Sequence, residues 1–240
     1  GRKGKIMLIV DKITKSIQAK EIVKDCSLSV QAGQICGLAG PNGAGKTTLL
    51  KTIAGIYRPD GGKILADGAP AHKNSDFRRH SFLMTEELFF DPQSSMDDMR
   101  KVYRGYYSSW DDDIYDKLLH ITGLDRKAGI SGFSKGMQRQ AGLILALSTA
   151  PEYLFLDETF DGLDFVRRRL LAAILRRFTE KRNACVIVTS HYLNELEKFA
   201  DSLALIEDGR MIIPDTGGAT LEEYFMAHTE VRADEIDTLF

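Results

Sequence analysis

Residues Gly40 to Thr48 read GPNGAGKTT and stand between an apolar run, GQICGLAG, and a helix-forming segment, TTLLKTIAGIY. A glycine-rich turn between a buried strand and a helix leaves a chain few alternatives, and this one fits G-x-x-x-x-G-K-[ST], a phosphate-binding loop. Gly40, Gly43 and Gly45 can take positive φ and leave room for a phosphate. The backbone through Pro41, Asn42 and Ala44 can then curl around an anion with successive N–H groups turned inward. The helix that follows presents its positive end. Lys46 would reach the β and γ phosphates of a nucleotide, the Thr47 hydroxyl would ligate the Mg²⁺ that bridges them, and Thr48 would add a phosphate contact. The competing reading is a glycine-rich turn that holds a lysine by chance, and the rest of the chain decides between them.

A chain of 240 residues can bury a full core, as one large domain or a domain with a lobe inserted. The formal net charge of −2 gives no basic field for nucleic acid, and Arg167 to Arg169 with Arg176 and Arg177 read as a solvated helix face. Cys26, Cys36 and Cys185 lie in apolar, strand-like contexts without metal-ligand spacing, so they read as buried thiols in a reducing compartment. No apolar stretch approaches the roughly 20 residues needed to span a bilayer, and no signal peptide is read at the N-terminus. The expectation is a soluble chain. It opens GRKGKIM, and no reading rests on its first few residues.

Along the chain, KIMLIVDKITK, EIVKDCSLSV and QICGLAG are expected as three short strands, with a turn at Gln31, Ala32 and Gly33 before the third. RPDGG is a turn, and KILADG and HSFLM are further strands. The pattern then changes. DPQSSMDDMRKVYRGYY and SWDDDIYDKLLHITGL carry helical spacing behind Ser and Asp residues suited to cap a helix, which marks an inserted helical lobe. Phe89, Phe90, Met96, Met99, Tyr103, Tyr106, Tyr107 and Trp110 are expected chiefly as that lobe's own small core, a minority forming a docking groove. In GFSKGMQRQAGLILALSTA, Ser134 is placed to cap a helix. EYLFLDE has the continuous apolar form of a strand buried on both faces and ends in Asp157 and Glu158, which are costly there unless a metal or substrate uses them. FVRRRLLAAILRRF is expected as an amphipathic helix with Val166, Leu170, Ile174 and Phe178 on one face, leading into a second buried strand, ACVIVTSH, with His191 just past its end. Ligands of open parallel sheets bind beyond the carboxyl ends of strands, so Gly40, Asp157 and His191 should meet in one crevice. SLALIEDGRMII is a hairpin turning at Asp208 and Gly209, and an acidic helical segment runs from Leu221.

Taken together, Gly40 to Thr47, FSKGM at Phe133 to Met137, LFLDE ending at Glu158, DGLD at Asp161 to Asp164 and TSH ending at His191 make the chain resemble an ATP-binding-cassette (ABC) transporter ATPase subunit. The resemblance covers essentially the whole chain. It implies an α/β fold of P-loop NTPase type: a RecA-like core with an antiparallel β subdomain at about 5–85 and 150–215, a helical subdomain at about 86–149, and a C-terminal helical tail at 216–240, all in one domain. It also implies roles: Asp157 on the Mg²⁺ hydration shell, Glu158 polarising the water that attacks the γ phosphate, and His191 contacting that phosphate. In the family two subunits sandwich two ATP molecules, so Ser134, Lys135 and Gly136 would meet the nucleotide held by the other subunit. FSKGM departs from the usual LSGGQ. Lys135 stands where the motif has glycine and either strengthens the trans contact or faces solvent. The family's glutamine after HSFLM is absent: Thr85 falls there as the candidate metal position, with Glu86 next. Ile17 falls where the family has an adenine-stacking aromatic.

FSKGM, the missing glutamine and the SWDDD segment look similar to the cassettes of bacterial drug and peptide exporters of the bacitracin-resistance type. The function so implied is ATP hydrolysis driving transport through separate transmembrane subunits, with the chain on the cytoplasmic face of the membrane, a second ATPase subunit as partner, and no nucleic acid. The alternative is a soluble cassette ATPase uncoupled from transport. Cassettes of translation usually carry two such domains in one chain, and those of chromosome maintenance carry long coiled coils, neither of which is read here. A purely regulatory nucleotide-binding module would not need Glu158 and His191.

Overall fold

The computed structural model describes residues 7–85, 87 and 93–213. Two long strands open it. β1 (Met7–Ile17) and β2 (Lys20–Gln31) form an antiparallel hairpin turned by Gln18 and Ala19, both at positive φ. Short strands were the expectation, and the strands run to 11 and 12 residues. Polar residues that look like interruptions are absorbed as irregularities, with Lys12 at φ 52 and Asp25 at φ 56 where the register shifts. β4 (Gly61–Ala66) pairs with the far side of β1, and β5 (Ala69–Pro70) closes that edge.

The parallel part comprises β3 (Gln34–Ala39), β6 (Ser81–Met84), β7 (Tyr153–Leu156), β8 (Cys185–Ser190) and β9 (Ser202–Glu207), with β10 (Arg210–Ile212) returning antiparallel to β9. The ten strands form one sheet in the order β5-β4-β1-β2-β10-β9-β3-β8-β7-β6. Every residue of β7 and β8 is buried, as strands covered on both faces must be. Because β3, β8 and β7 are neighbours running the same way, the loops at their carboxyl ends open on one side.

α1 (Lys46–Ile53) follows β3, and α2 (Ser75–Arg79) precedes β6. α3 (Met96–Tyr106) starts in a capping box between Ser95 and Asp98, while α4 (Asp112–Thr122) is capped by Asp111 and ends at left-handed Gly123. α5 (Lys135–Ser148) is capped by Ser134, whose hydroxyl accepts from Met137 N at 3.3 Å. α6 (Phe165–Arg182) is capped by Asp164, and the short α7 (Leu193–Leu196) follows β8.

Two apolar clusters cover the two faces of the sheet. One packs α1 and the β1/β2 hairpin; the other packs α3 to α7. The lobe does not keep a core of its own: Tyr103 and Tyr107 set their rings 6.0 and 5.7 Å from Phe82 of β6 and join a cluster that runs on to Leu154 and Leu171. Of the lobe's aromatics Tyr106 is turned outward, 84% exposed, and Phe89 and Phe90 lie outside the described residues. Of the stripe expected on α6, Phe178 is buried, Leu170 and Ile174 are half-buried and Val166 is 74% exposed; the buried residues of the helix are Leu171, Leu175, Phe178 and Thr179. With arginines at 167–169, 176 and 177, several faces of this helix look polar, and only the sheet beneath fixes which one is inward. Cys26, Cys36 and Cys185 are buried free thiols. Asp208 and Gly209 turn the β9/β10 hairpin with positive φ, the type I′ pattern, and the segment from Leu221 lies outside the described residues.

Candidate active site

The loop from Gly40 to Gly45 joins β3 to α1. Gly43 and Gly45 take φ of 81° and 109°; Gly40 does not, and it is needed for space instead, since a Cβ there would stand 2.2 Å from the carbonyl oxygen of Ile206. Gly45 is similarly pressed against the Ile22 carbonyl, and Gly209 N donates to Ala44 O at 3.1 Å. Strands β2 and β9 and their turns thus hold the loop from behind. No side chain caps α1, so its first N–H groups face the loop's concavity, a setting that attracts anions. Pro41, Asn42 and Gly43 are exposed on the loop's rim.

Lys46 is 3% exposed. Its ammonium donates to the carbonyls of Gly40 at 2.7 Å and Pro41 at 3.0 Å and lies 3.3 Å from Glu158 Oε1, so all three of its protons have an oxygen nearby. Thr47 Oγ1 donates to Asp157 Oδ2 at 2.7 Å, and Thr189 Oγ1 donates to Asp157 Oδ1, also at 2.7 Å. A carboxylate 2% exposed at the end of β7 is therefore satisfied by one hydroxyl from each neighbouring element. Thr47 and Asp157 together offer the hard oxygen donors that a divalent cation takes. Thr48 occupies the third position of α1 and is half-buried, while Thr47 before it is exposed.

Glu158 breaks from the strand with φ 48, a left-handed conformation that costs a side-chain-bearing residue roughly 1–2 kcal/mol. Its amide donates to Thr189 Oγ1 at 3.0 Å, which helps hold that conformation. The bend turns its carboxylate toward the loop lysine. On the far side Ser190 Oγ donates to Asp161 Oδ1 at 2.9 Å, and His191 Nδ1 stands 2.7 Å from Asp161 Oδ2. Ligand atoms of Glu158, Asp161 and His191 lie within 4.8 Å of one another. Burial raises the Asp161 carboxyl above its ordinary range, with Ser190 and His191 pulling it back. The P-loop, Asp157, Glu158 and His191 thus form one crevice.

The remaining candidates stand apart from that crevice. Ser134 and Lys135 are exposed at the start of α5, and Gly136 borders Leu163 of the DGLD loop. Thr85 follows β6 with its hydroxyl turned to the carbonyl of Glu87 at 2.6 Å, while its own carbonyl accepts from Arg139 of α5; Glu86 lies outside the described residues. Ile17 ends β1 at the hairpin turn, 37% exposed. No hydrogen bond or ion pair among the described residues joins Ser134, Lys135 or Thr85 to the loop.

Thr189, Ser190 and Asp161 had no assigned part in the sequence reading. The signal was present: two hydroxyl residues closing an otherwise apolar strand invite the same question as the carboxylates closing β7, namely what polar partner makes their burial tolerable.

A family model described as ABC transporter matches residues 23–161. The chain is 33% identical to the Nod factor export ATP-binding protein I of Burkholderia lata, over 88% of this chain and 71% of that protein. It is 29% identical to the lantibiotic transport ATP-binding protein SrtF of Streptococcus pyogenes, over 91% of this chain and 96% of that one. A solved structure, of the ATP binding subunit of an ABC transporter, superposes with a TM-score of 0.81 at 24% identity, covering 92% of this chain and 98% of the other, and carries the fold alone. The chain spans 66%, 70% and 74% of the length of three further relatives, all ATP-binding proteins of this kind.

Proposed function

The chain belongs to the ABC transporter family as an ATP-binding domain, of the kind that hydrolyses ATP, and from that premise we propose that its hydrolysis drives transport across a membrane through separate transmembrane subunits. The observation that carries the hydrolytic part is the arrangement around Asp157 and Glu158: Thr47 and Thr189 on the first carboxylate, Lys46 at 3.3 Å from the second. We assign Lys46 and the loop backbone to the phosphates, with Thr48 adding a contact. Thr47 and Asp157 would hold Mg²⁺, which supplies charge neutralisation on the β and γ phosphates when bound. Glu158 takes the proton of the attacking water as general base, its carboxylate already bent toward the loop. His191, steadied by Asp161 and Ser190, contacts the γ phosphate. Lys46 releases Glu158 as phosphate oxygens replace the carboxylate beside its ammonium.

Hydrolysis in this reading takes two subunits. Ser134, Lys135 and Gly136 are accessible at the start of α5, where the Ser134 oxygen accepts from Met137 and its own proton stays available to a phosphate oxygen of a facing subunit's nucleotide. Thr85 or Glu86 stands in for the family's metal-coordinating glutamine, and Ile17 packs on the base.

The cargo side rests on the relatives. One is named for Nod factor export and one for lantibiotic transport, which supports export of a peptide or drug-like molecule; in this reading the chain would sit peripherally on the cytoplasmic face. No helix among the described residues is long and apolar enough to cross a membrane, so the spanning part would come from elsewhere. The test is mild detergent extraction of native membranes with a tagged chain. Recovery with integral-membrane subunits and ATP turnover is expected; recovery wholly in the soluble fraction, with full turnover, supports the uncoupled cassette instead.

A further inference from the structure

The outer face of α6 and the segment from Glu195 to Asp201 enclose a groove of about 750 Å³. Its floor is apolar, from Ala172, Ala173 and Phe199, and its walls are charged. Arg168, Arg169, Arg176 and Lys198 face Glu195 and Asp201, four cations against two carboxylates. Both carboxylates are already engaged, Glu195 with Arg168 and Asp201 with Arg176 at 2.6 Å. Arg169, lying over the Phe165 ring at 5.6 Å, and Lys198 have no ion pair among the described residues. An apolar floor under surplus positive charge fits an acidic segment carrying bulky apolar residues.

We propose that residues 214–240 of the same chain occupy this groove. Three observations meet. β10 runs antiparallel to β9 with Ile212 opposite Leu205, so the chain leaves β10 heading for the start of β9, next to which Asp201 lines the groove. From Ile213 that end is only about 10 Å away, at roughly 3.3 Å per strand residue. The segment beyond carries seven carboxylates against a single arginine. Within it Leu221, Tyr224 and Phe225 fall at the i, i+3, i+4 spacing of one helical stripe, flanked by Glu222 and Glu223. The apolar stripe matches the Ala172, Ala173 and Phe199 floor, and the flanking carboxylates match Arg169 and Lys198.

Reach and affinity are both adequate. From Phe165 to Arg176 the groove runs about 17 Å along α6 at 1.5 Å per residue, and the segment exceeds that even when helical. Tethering gives an effective concentration of order mM, so a contact with a Kd of about 0.1 mM would already be about 90% occupied.

The native thiols are buried, so an added cysteine reports cleanly. In the full chain, Ala173→Cys should react with a maleimide at least about tenfold more slowly than Arg177→Cys on the exposed side of the same helix, a 1.4 kcal/mol protection. Adding Arg169→Glu and Lys198→Glu should bring the two rates together. A chain carrying Ala173→Cys and Phe225→Cys should cross-link within the monomer under a short bismaleimide. Equal rates without the charge reversals would overturn the proposal. So would protection that fades on hundredfold dilution, which would mean a second copy fills the groove, or cross-links formed only between chains.

Discussion

Lys46 Nζ stands 3.3 Å from Glu158 Oε1, the loop lysine 3% and the glutamate 15% exposed. The carboxylate proposed as base and the ammonium proposed for the phosphates form an ion pair.

Glu158→Gln keeps the shape and removes the base. Turnover should fall at least about a hundredfold, the usual contribution of general-base help, while ATP binding persists. The slow variant should dimerise with ATP on size-exclusion chromatography. Turnover like that of the unmodified chain would remove Glu158 from its role, and a strictly monomeric ATP complex would count against the two-subunit reading.

Lys46→Ala removes a charged donor from the centre of the loop. A hydrogen bond to a charged group is worth about 1.5–3 kcal/mol, so ATP affinity should drop about tenfold to a hundredfold. Calorimetry checks this, with circular dichroism to confirm the fold. Unchanged affinity would mean the phosphates bind elsewhere.

Gly40→Ala and Gly105→Ala should act in opposite directions. The first drives a methyl to 2.2 Å from the Ile206 carbonyl and should cost about 1–3 kcal/mol as overpacking, weakening nucleotide binding with it. The second sits within α3 with nothing near the added methyl and should stabilise by about 0.5–1 kcal/mol. Thermal melts decide both, and a neutral Gly40→Ala would mean the loop is free to move off β9.

Asp98 gives a pH signature. Its hydrogen bond from Ser95, and then Lys101, lower its carboxyl from 3.8 to about 2. A lowered carboxyl favours the folded state fully above the unfolded value and loses that favour as pH falls from there through about 2. Stability curves of the unmodified chain and Asp98→Asn should therefore separate above pH 4 and draw together toward pH 2. Curves that stay parallel across that window would show that the capping box contributes nothing through this charge.

Ile17 bears on the choice of base. If it packs where an aromatic ring would stack, the phosphates carry most of the affinity, and ATP and GTP should bind within about tenfold of each other. Ile17→Tyr should tighten both. A preference for ATP well beyond tenfold in competition would place another group on the adenine edge.

Sequence alone determined whatever depends on neighbours along the chain. GPNGAGKTT can only be an anion loop or an accidental turn, and LFLDE can end in two carboxylates only if something makes their burial tolerable; both arguments are local, and the order of motifs from Gly40 to His191 did the rest. Caps at Ser134 and the Asp208–Gly209 turn were legible for the same reason, since hydrogen bonds three residues away and positive φ are properties of short segments. What only the tertiary structure decided is which segments become neighbours. Thr189 reaches Asp157 from β8 to the end of the neighbouring β7, Asp161 meets His191, and Gly40 is glycine because the Ile206 carbonyl passes behind it, contacts between residues 30 or more positions apart or set by sheet order. The face of α6 was only partly legible, right at Phe178 and wrong at Val166, because arginines on several of its sides blur the periodicity, and burial there is set by the sheet it lies on rather than by its own pattern.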